Sequence, residues 1–285
     1  MFYLIQLLNG IQYGLLLFLL ASGLTLIFGI MGVINLAHGS FYMIGAYLAY
    51  WLARTTGSLW LAIPLIIIIA LSIGLLLEAI IFSRLYKRDH LYQVLLTFGL
   101  ILVFAELRSI LFGDDVHGVP VPPLLDFSIP LTDTLSYPVY RLFVTAVCIT
   151  IALTMYFVIH KTRLGMMIRA ATSNREMAAS LGVNIPLLFA FVFAFGVALA
   201  AFAGAISAPI ASVSPGMGNH IVIICFVVVV IGGIGSINGA MIAALAIGMA
   251  DTLGKVMAPE YSAVAVYLLM AAILLWRPQG IAGRA

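Results

Sequence analysis

The sequence is poor in charge. Asp, Glu, Lys and Arg make up 8% of its 285 residues, against about 25% in ordinary soluble domains. Too little charge is available to cover an aqueous surface, which excludes a soluble enzyme, a nucleic-acid-binding module and a disordered chain. No Lys or Arg occurs in Met1–Phe28, so the basic n-region of a cleavable signal peptide is missing. There are only two cysteines, Cys148 and Cys225, both inside apolar runs and far from any second ligand. They read as buried small hydrophobes rather than a disulfide or metal pair. No HExxH, GxSxG or Gly-x-x-x-x-Gly-Lys-Ser/Thr motif occurs. Any ATPase serving this chain must therefore be a separate polypeptide.

What fills the space is apolar. Hydrophobic residues are 64% of the chain, enough for roughly nine spans of about 20 residues each. Runs such as Ile221–Ile231 are continuous rather than alternating, which argues against an outer-membrane barrel. Nine apolar segments fall at 13–30, 38–53, 60–82, 92–112, 140–160, 187–209, 219–234, 237–256 and 261–276. The seventh is short enough to be re-entrant or broken. The expected fold is all-α and polytopic, with eight to nine transmembrane helices, some short or glycine-interrupted. One domain, 1–285, divides into two loosely repeated halves, 1–112 and 140–276, joined by a loop at 113–139.

Basic residues concentrate at Arg84, Lys87 and Arg88, at Lys161, Arg163, Arg169 and Arg175, and at Arg277 and Arg284. The positive-inside rule makes these cytoplasmic. The 113–139 loop carries Asp114, Asp115, Asp126 and Asp133, five prolines and no Lys or Arg. It reads as an ordered external segment without long helices. The N-terminus then lies outside and the C-terminus inside; Arg54 and Arg141 run against the trend.

The segment 161–186 is the one substantial cytoplasmic stretch between spans. Ser173-Asn174-Arg175-Glu176 fits a capping box with Ser173 as N-cap, and Gly182 marks a helix stop. A helix of two to three turns over about 173–182 follows. It is too short to be stable alone in water and needs something to pack against. His90, His117 and His160 fall in loops or at a span end and read as solvated.

Two segments contradict their apolar surroundings. One is Gly29-Ile-Met-Gly32-Val-Ile-Asn35-Leu-Ala-His38-Gly39-Ser40; the other is Gly232-Gly233-Ile-Gly235-Ser236-Ile-Asn238-Gly239. Glycine-interrupted polar breaks in both halves of a chain point to a transport pathway. Tight turns with close helix packing are the plainer alternative. Small residues at four-residue spacing, Gly10/Gly14, Ala200/Gly204, Gly235/Gly239 and Ala244/Gly248, indicate close helix approach. Of the charges within spans, Asp251 and Lys255 are spaced for a local ion pair. Glu106 and Arg108 sit where they can snorkel or pair.

The run Gly23-Leu-Thr-Leu-Ile-Phe-Gly-Ile-Met-Gly-Val-Ile-Asn-Leu-Ala-His-Gly-Ser-Phe-Tyr-Met-Ile-Gly-Ala-Tyr47 closely resembles the signature of the permeases of branched-chain amino acid ABC importers. Thr162–Asn184 resembles the coupling segment of those permeases, and Gly232–Gly239 their late glycine motif. In length the chain is similar to the smaller of two permeases that pair in such importers. The resemblance implies a bacterial inner-membrane subunit that forms the path with a second, related permease. It implies two cytoplasmic ATP-binding subunits, a periplasmic substrate-binding protein and no nucleic acid. ATP and Mg would sit on the ATPases, with no cofactor on this chain. The substrates implied are branched-chain or other hydrophobic amino acids; relatives take urea, amides or aromatic and carboxylic acids. Asn35, His38, Gly39, Ser40, Gly232, Gly233, Gly235, Ser236 and Asn238 become candidate path residues. Arg169, Ala170, Asn174, Arg175, Glu176, Ala178 and Gly182 become candidate coupling residues. A stand-alone carrier or channel is the main alternative, though it would need no docking helix. A membrane-embedded enzyme is the other, and it lacks a catalytic constellation.

Overall fold

The computed structural model describes residues 2–86, 88–132, 135–257 and 259–282. Lys87, Asp133 and Arg284 of the charge pattern lie outside them. The helices are α1 (Phe2–Met31), α2 (His38–Thr56), α3 (Leu59–Ile80), α4 (His90–Phe112), α5 (Val139–Lys161), α6 (Arg163–Ser173), α7 (Arg175–Ser180), α8 (Ile185–Ala211), α9 (Met217–Gly232), α10 (Ile237–Met257) and α11 (Ser262–Trp276). A hairpin of β1 (Ser128–Thr132) and β2 (Leu135–Pro138) lies between α4 and α5. The chain is an all-α multi-pass membrane protein. Among the described residues, six helices are long and apolar enough to span a bilayer: α1, α3, α4, α5, α8 and α10. α2, α9 and α11 also follow apolar segments of the sequence but do not meet that standard. α9 has 16 residues. At about 1.5 Å per residue it covers roughly 24 Å, short of the roughly 30 Å hydrocarbon core.

α1 is the axis of the bundle. Leu17, Leu19, Leu20, Ala21, Leu24 and Ile27 are all fully buried, as expected of a helix that is apolar on every side. It packs on α10 and α8, so the two sequence halves interlock rather than form separate bundles. Two of the small-residue stripes face each other. A Cβ on Gly14 would stand 2.8 Å from the Ala244 carbonyl, and one on Gly248 would strike Gly14. Removing side chains here lets backbones touch, which is where van der Waals packing between helices is gained in lipid. Gly204 likewise abuts the backbone of Tyr42, joining α8 to α2. α4 borders α2 and otherwise turns Leu95, Leu102, Ile110 and Leu111 outward, the surface of a lipid-facing helix.

The 113–139 segment has no long helix but gains the β1–β2 hairpin, which its prolines hid. Arg108 pairs with Asp114 at 2.5 Å rather than with Glu106. This hydrogen bond, with a second from Ser109, holds the Asp114 carboxyl below the ordinary carboxylate range. His117 is half-buried and stacked on Tyr50, ring centroids 4.2 Å apart. His90 and His160 are exposed. Cys148 and Cys225 are buried and unpaired.

Candidate functional site

The coupling segment contains two helices where one was expected. Thr162 opens α6, its Oγ1 accepting from the Gly165 amide at 3.3 Å. Ile168 and Ala171 seat α6 on the bundle, and the Arg169 guanidinium donates to the Ile159 carbonyl. α6 consumes Ser173 as its last residue, so the N-cap of α7 is Asn174. Its Oδ1 accepts from the Met177 amide at 2.9 Å. Glu176 sits in the first turn, where its charge suits the helix dipole. Gly182 ends α7 with φ +89°. Val183 N donates to Ala178 O at 3.1 Å and Gly182 N to Ala179 O at 3.0 Å, a Schellman closure. Ala170 is half-buried on α6.

Ala178 was expected to meet a partner, but it is only 2% exposed and lies inside this chain. α7 packs on α6 and α8. The apolar side chains it leaves outward are Met177, 64% exposed, and Leu181, 78% exposed. Arg175 reaches back into the fold. Its guanidinium stands 5.3 Å from the Phe189 ring of α8, and its Nη2 lies 3.2 Å from where a Cβ on Gly32 would be. Gly32, at φ +66°, is the residue that ends α1. One side chain thus ties α7 to the junction of α1 and α2.

Beside this module lies a cleft of about 550 Å³. Its wall joins the end of α1 at Thr25, Gly29 and Ile30 to α6 at Arg169 and Thr172, and to the late break at Gly235, Ser236 and Asn238. The late break is itself a clamped turn. A Cβ on Gly239 would strike the Gly232 carbonyl, Gly233 has φ +91°, and Ser236 Oγ accepts from the Gly239 amide at 3.1 Å. The C-terminal turn completes it: Ile281 N donates to Ile231 O at 2.8 Å and Ala282 N to Gly232 O at 3.2 Å. These bonds satisfy carbonyls that the end of α9 would leave open. No spacing in the sequence marked that return of the chain, and Thr162 was missed although a Thr three residues before Gly165 is a cap signal.

The early break behaves differently. Asn35, His38, Gly39 and Ser40 are buried, Asn35 and His38 completely, and none lines the cleft. His38 Nε2 lies 3.0 Å from the Leu20 carbonyl. A carbonyl can only accept, so Nε2 carries the proton and the ring pins α2 to α1. Gly23 makes room for it, 3.2 Å from ring to a would-be Cβ. A Cβ on Gly39 would strike the Gly218 carbonyl of α9. The two amide atoms of Asn35 and the Nδ1 of His38 have no hydrogen-bond partner among the described residues.

Comparison with known proteins follows the same lines. Residues 6–274 match the family described as branched-chain amino acid transport system / permease component. The chain is 32% identical to the high-affinity branched-chain amino acid transport system permease protein BraD of Pseudomonas aeruginosa, over 99% of this chain and 96% of BraD. It is 30% identical to the permease protein LivH of Escherichia coli K12, over 100% of this chain and 96% of LivH. The permease protein LivM of the same organism is 28% identical over 92% of this chain, which spans 67% of LivM.

Proposed function

The chain belongs to the family of branched-chain amino acid transport permease components, and from that premise we infer that it is the smaller permease of an ATP-driven importer of branched-chain or other hydrophobic amino acids. It works in a bacterial inner membrane with a second, LivM-like permease, two separate ATPases that bind ATP and Mg, and a periplasmic binding protein. The face bearing α6 and α7 is cytoplasmic, the 113–139 face and the N-terminus are periplasmic, and the C-terminus is cytoplasmic.

The observation that carries this reading is α7: capped at both ends, seated on its own chain through Ala178, and presenting Met177 and Leu181 to an outside surface. The ATPase covers these two residues. When ATP draws the ATPases together, α7 is pushed along with α6. Arg175 transmits the displacement to Gly32 and Phe189, and so to the α1–α2 junction and α8. Arg169 transmits it to the end of α5. The cleft between α1 and the late break then opens or closes, with Gly235, Ser236 and Asn238 on its moving wall. Asn35, His38, Gly39 and Ser40 hold the α1–α2 junction against α9 and act on the path through packing.

The test is leucine uptake into proteoliposomes holding both permeases and both ATPases, with loaded binding protein outside the face bearing residues 113–139. Uptake that requires ATP and disappears when this chain is omitted is the expected result. Uptake by this chain alone, without ATPases, would establish a stand-alone carrier instead.

A further inference from the structure

At the end of the bundle opposite α6 and α7, a second cavity of about 330 Å³ opens between α1, α2, α10, the start of α5 and the end of α8. Its size suits a small solute. Its wall is polar in a way that the lipid-facing surface is not.

Asp251 of α10 is 8% exposed. Its Oδ2 accepts from Lys255 Nζ at 2.6 Å, and its other oxygen takes no hydrogen bond from the described residues. The expected ion pair is therefore formed, but at a cavity wall and with one carboxylate oxygen to spare. Gln12 of α1 is 5% exposed and lines the same cavity, its amide open to that space rather than sealed away from it. An amide placed on a cavity wall can donate and accept there at once. Arg141 of α5 supplies a second cation, oriented by its hydrogen bond to Asn9 Oδ1 at 2.8 Å. The Tyr137 hydroxyl bonds that same oxygen at 3.2 Å. Tyr42 and Ser207 meet at 2.7 Å. Because Ser207 Oγ donates to the Gly204 carbonyl, the Tyr42 hydroxyl is the donor of that pair, and its oxygen keeps its acceptor capacity.

A small cavity thus carries a buried carboxylate, two cations and an open amide. A neutral solute such as urea needs no such set. A free amino acid does: it brings an ammonium and a carboxylate two bonds apart, plus a side chain to be sheltered. We propose that this cavity is a binding site on the permease for the amino acid zwitterion. The ammonium lies on Asp251 and the Gln12 carbonyl, the carboxylate lies on Arg141 and Lys255, and the side chain rests against Leu16 and Ile210. Charge-assisted hydrogen bonds of this kind are the strong ones, and inside a membrane they repay the desolvation of a zwitterion that plain apolar walls would not.

This site rests on the importer reading, and the test separates the two. Leucine and N-acetylleucine, which lacks the ammonium, are titrated by calorimetry into the purified permease–ATPase complex without binding protein. Leucine transported per ATP hydrolysed is then measured in the complete proteoliposome system. Leucine should bind at least tenfold tighter than N-acetylleucine. Gln12→Leu, which removes no charge, should assemble normally, weaken leucine binding at least tenfold and lower leucine moved per ATP by a similar factor. The double variant Asp251→Asn/Lys255→Met should do the same. If Gln12→Leu and the double variant both bind and transport as wild type, the pair is structural and the site is wrong, while the importer reading stands. If the wild-type complex moves no amino acid at all, the importer reading itself falls.

Discussion

Gly29 of α1 and Gly235 of the late break lie back to back: a Cβ on Gly29 would stand 2.7 Å from the Gly235 Cα, and one on Gly235 would stand 3.2 Å from the Gly29 Cα. Two glycine breaks separated by some two hundred residues of chain are therefore one structural joint. It sits in the wall of the cleft beside α6. A joint without side chains can slide without unlocking rotamers, which suits a surface that must move as the permease changes state.

The joint should not tolerate bulk. Gly29→Leu forces apart backbones that now touch, and overpacking of this kind costs about 1–3 kcal/mol. A lower melting temperature of the purified complex and loss of uptake are expected. Gly57, at the end of α2, has open space around it but a φ of +72°, so Gly57→Asn, a residue that accepts that conformation, serves as the tolerated control.

The cap of α7 is open to a paired test. Asn174→Ala removes the acceptor for the Met177 amide and should cost about 1 kcal/mol of helix stability. Hydrogen exchange over residues 175–183 should quicken, and transport should weaken. Ser173→Ala should leave both nearly unchanged, because Ser173 closes α6 and does not cap α7. Equal effects of the two would return the cap to Ser173.

Gly39 offers a clear distinction between path and packing. Gly39→Leu drives a side chain into the Gly218 carbonyl, so the permease should fail to assemble. An assembled but transport-dead variant would instead put Gly39 on the path.

Topology can be read with single cysteines at Asp115 and Ser180, both exposed positions. An impermeant thiol reagent applied to intact cells should label the first and spare the second. The reverse pattern would invert the membrane orientation.

The contrast between the two glycine breaks shows what the sequence could carry. The nine apolar stretches were legible because period and length alone define them, and Gly182 was legible because a left-handed residue there has few substitutes. Ser173 and Asn174 are both competent caps, and Glu176 three residues on favoured Ser173; only the existence of α6 decides for Asn174. α6 itself, Arg-Leu-Gly-Met-Met-Ile-Arg-Ala-Ala-Thr-Ser, is neither apolar enough for a span nor polar enough for a plain loop. Asn35 and His38 look the same in sequence whether water or a neighbouring backbone surrounds them. Gln12 and Arg141 carried no local signal, because their cavity is assembled from five helices.

The most direct measurement concerns Met177 and Leu181, which α7 turns outward and which the importer reading covers with an ATPase. Met177→Glu/Leu181→Glu alters two largely exposed side chains, so membrane insertion and pairing with the second permease should persist. Co-purification of the ATPase subunits should be lost, and with it the ATP hydrolysis that loaded binding protein stimulates. Full ATPase recovery with unchanged uptake in that variant would contradict the coupling role of α7 and with it the ATP-driven reading.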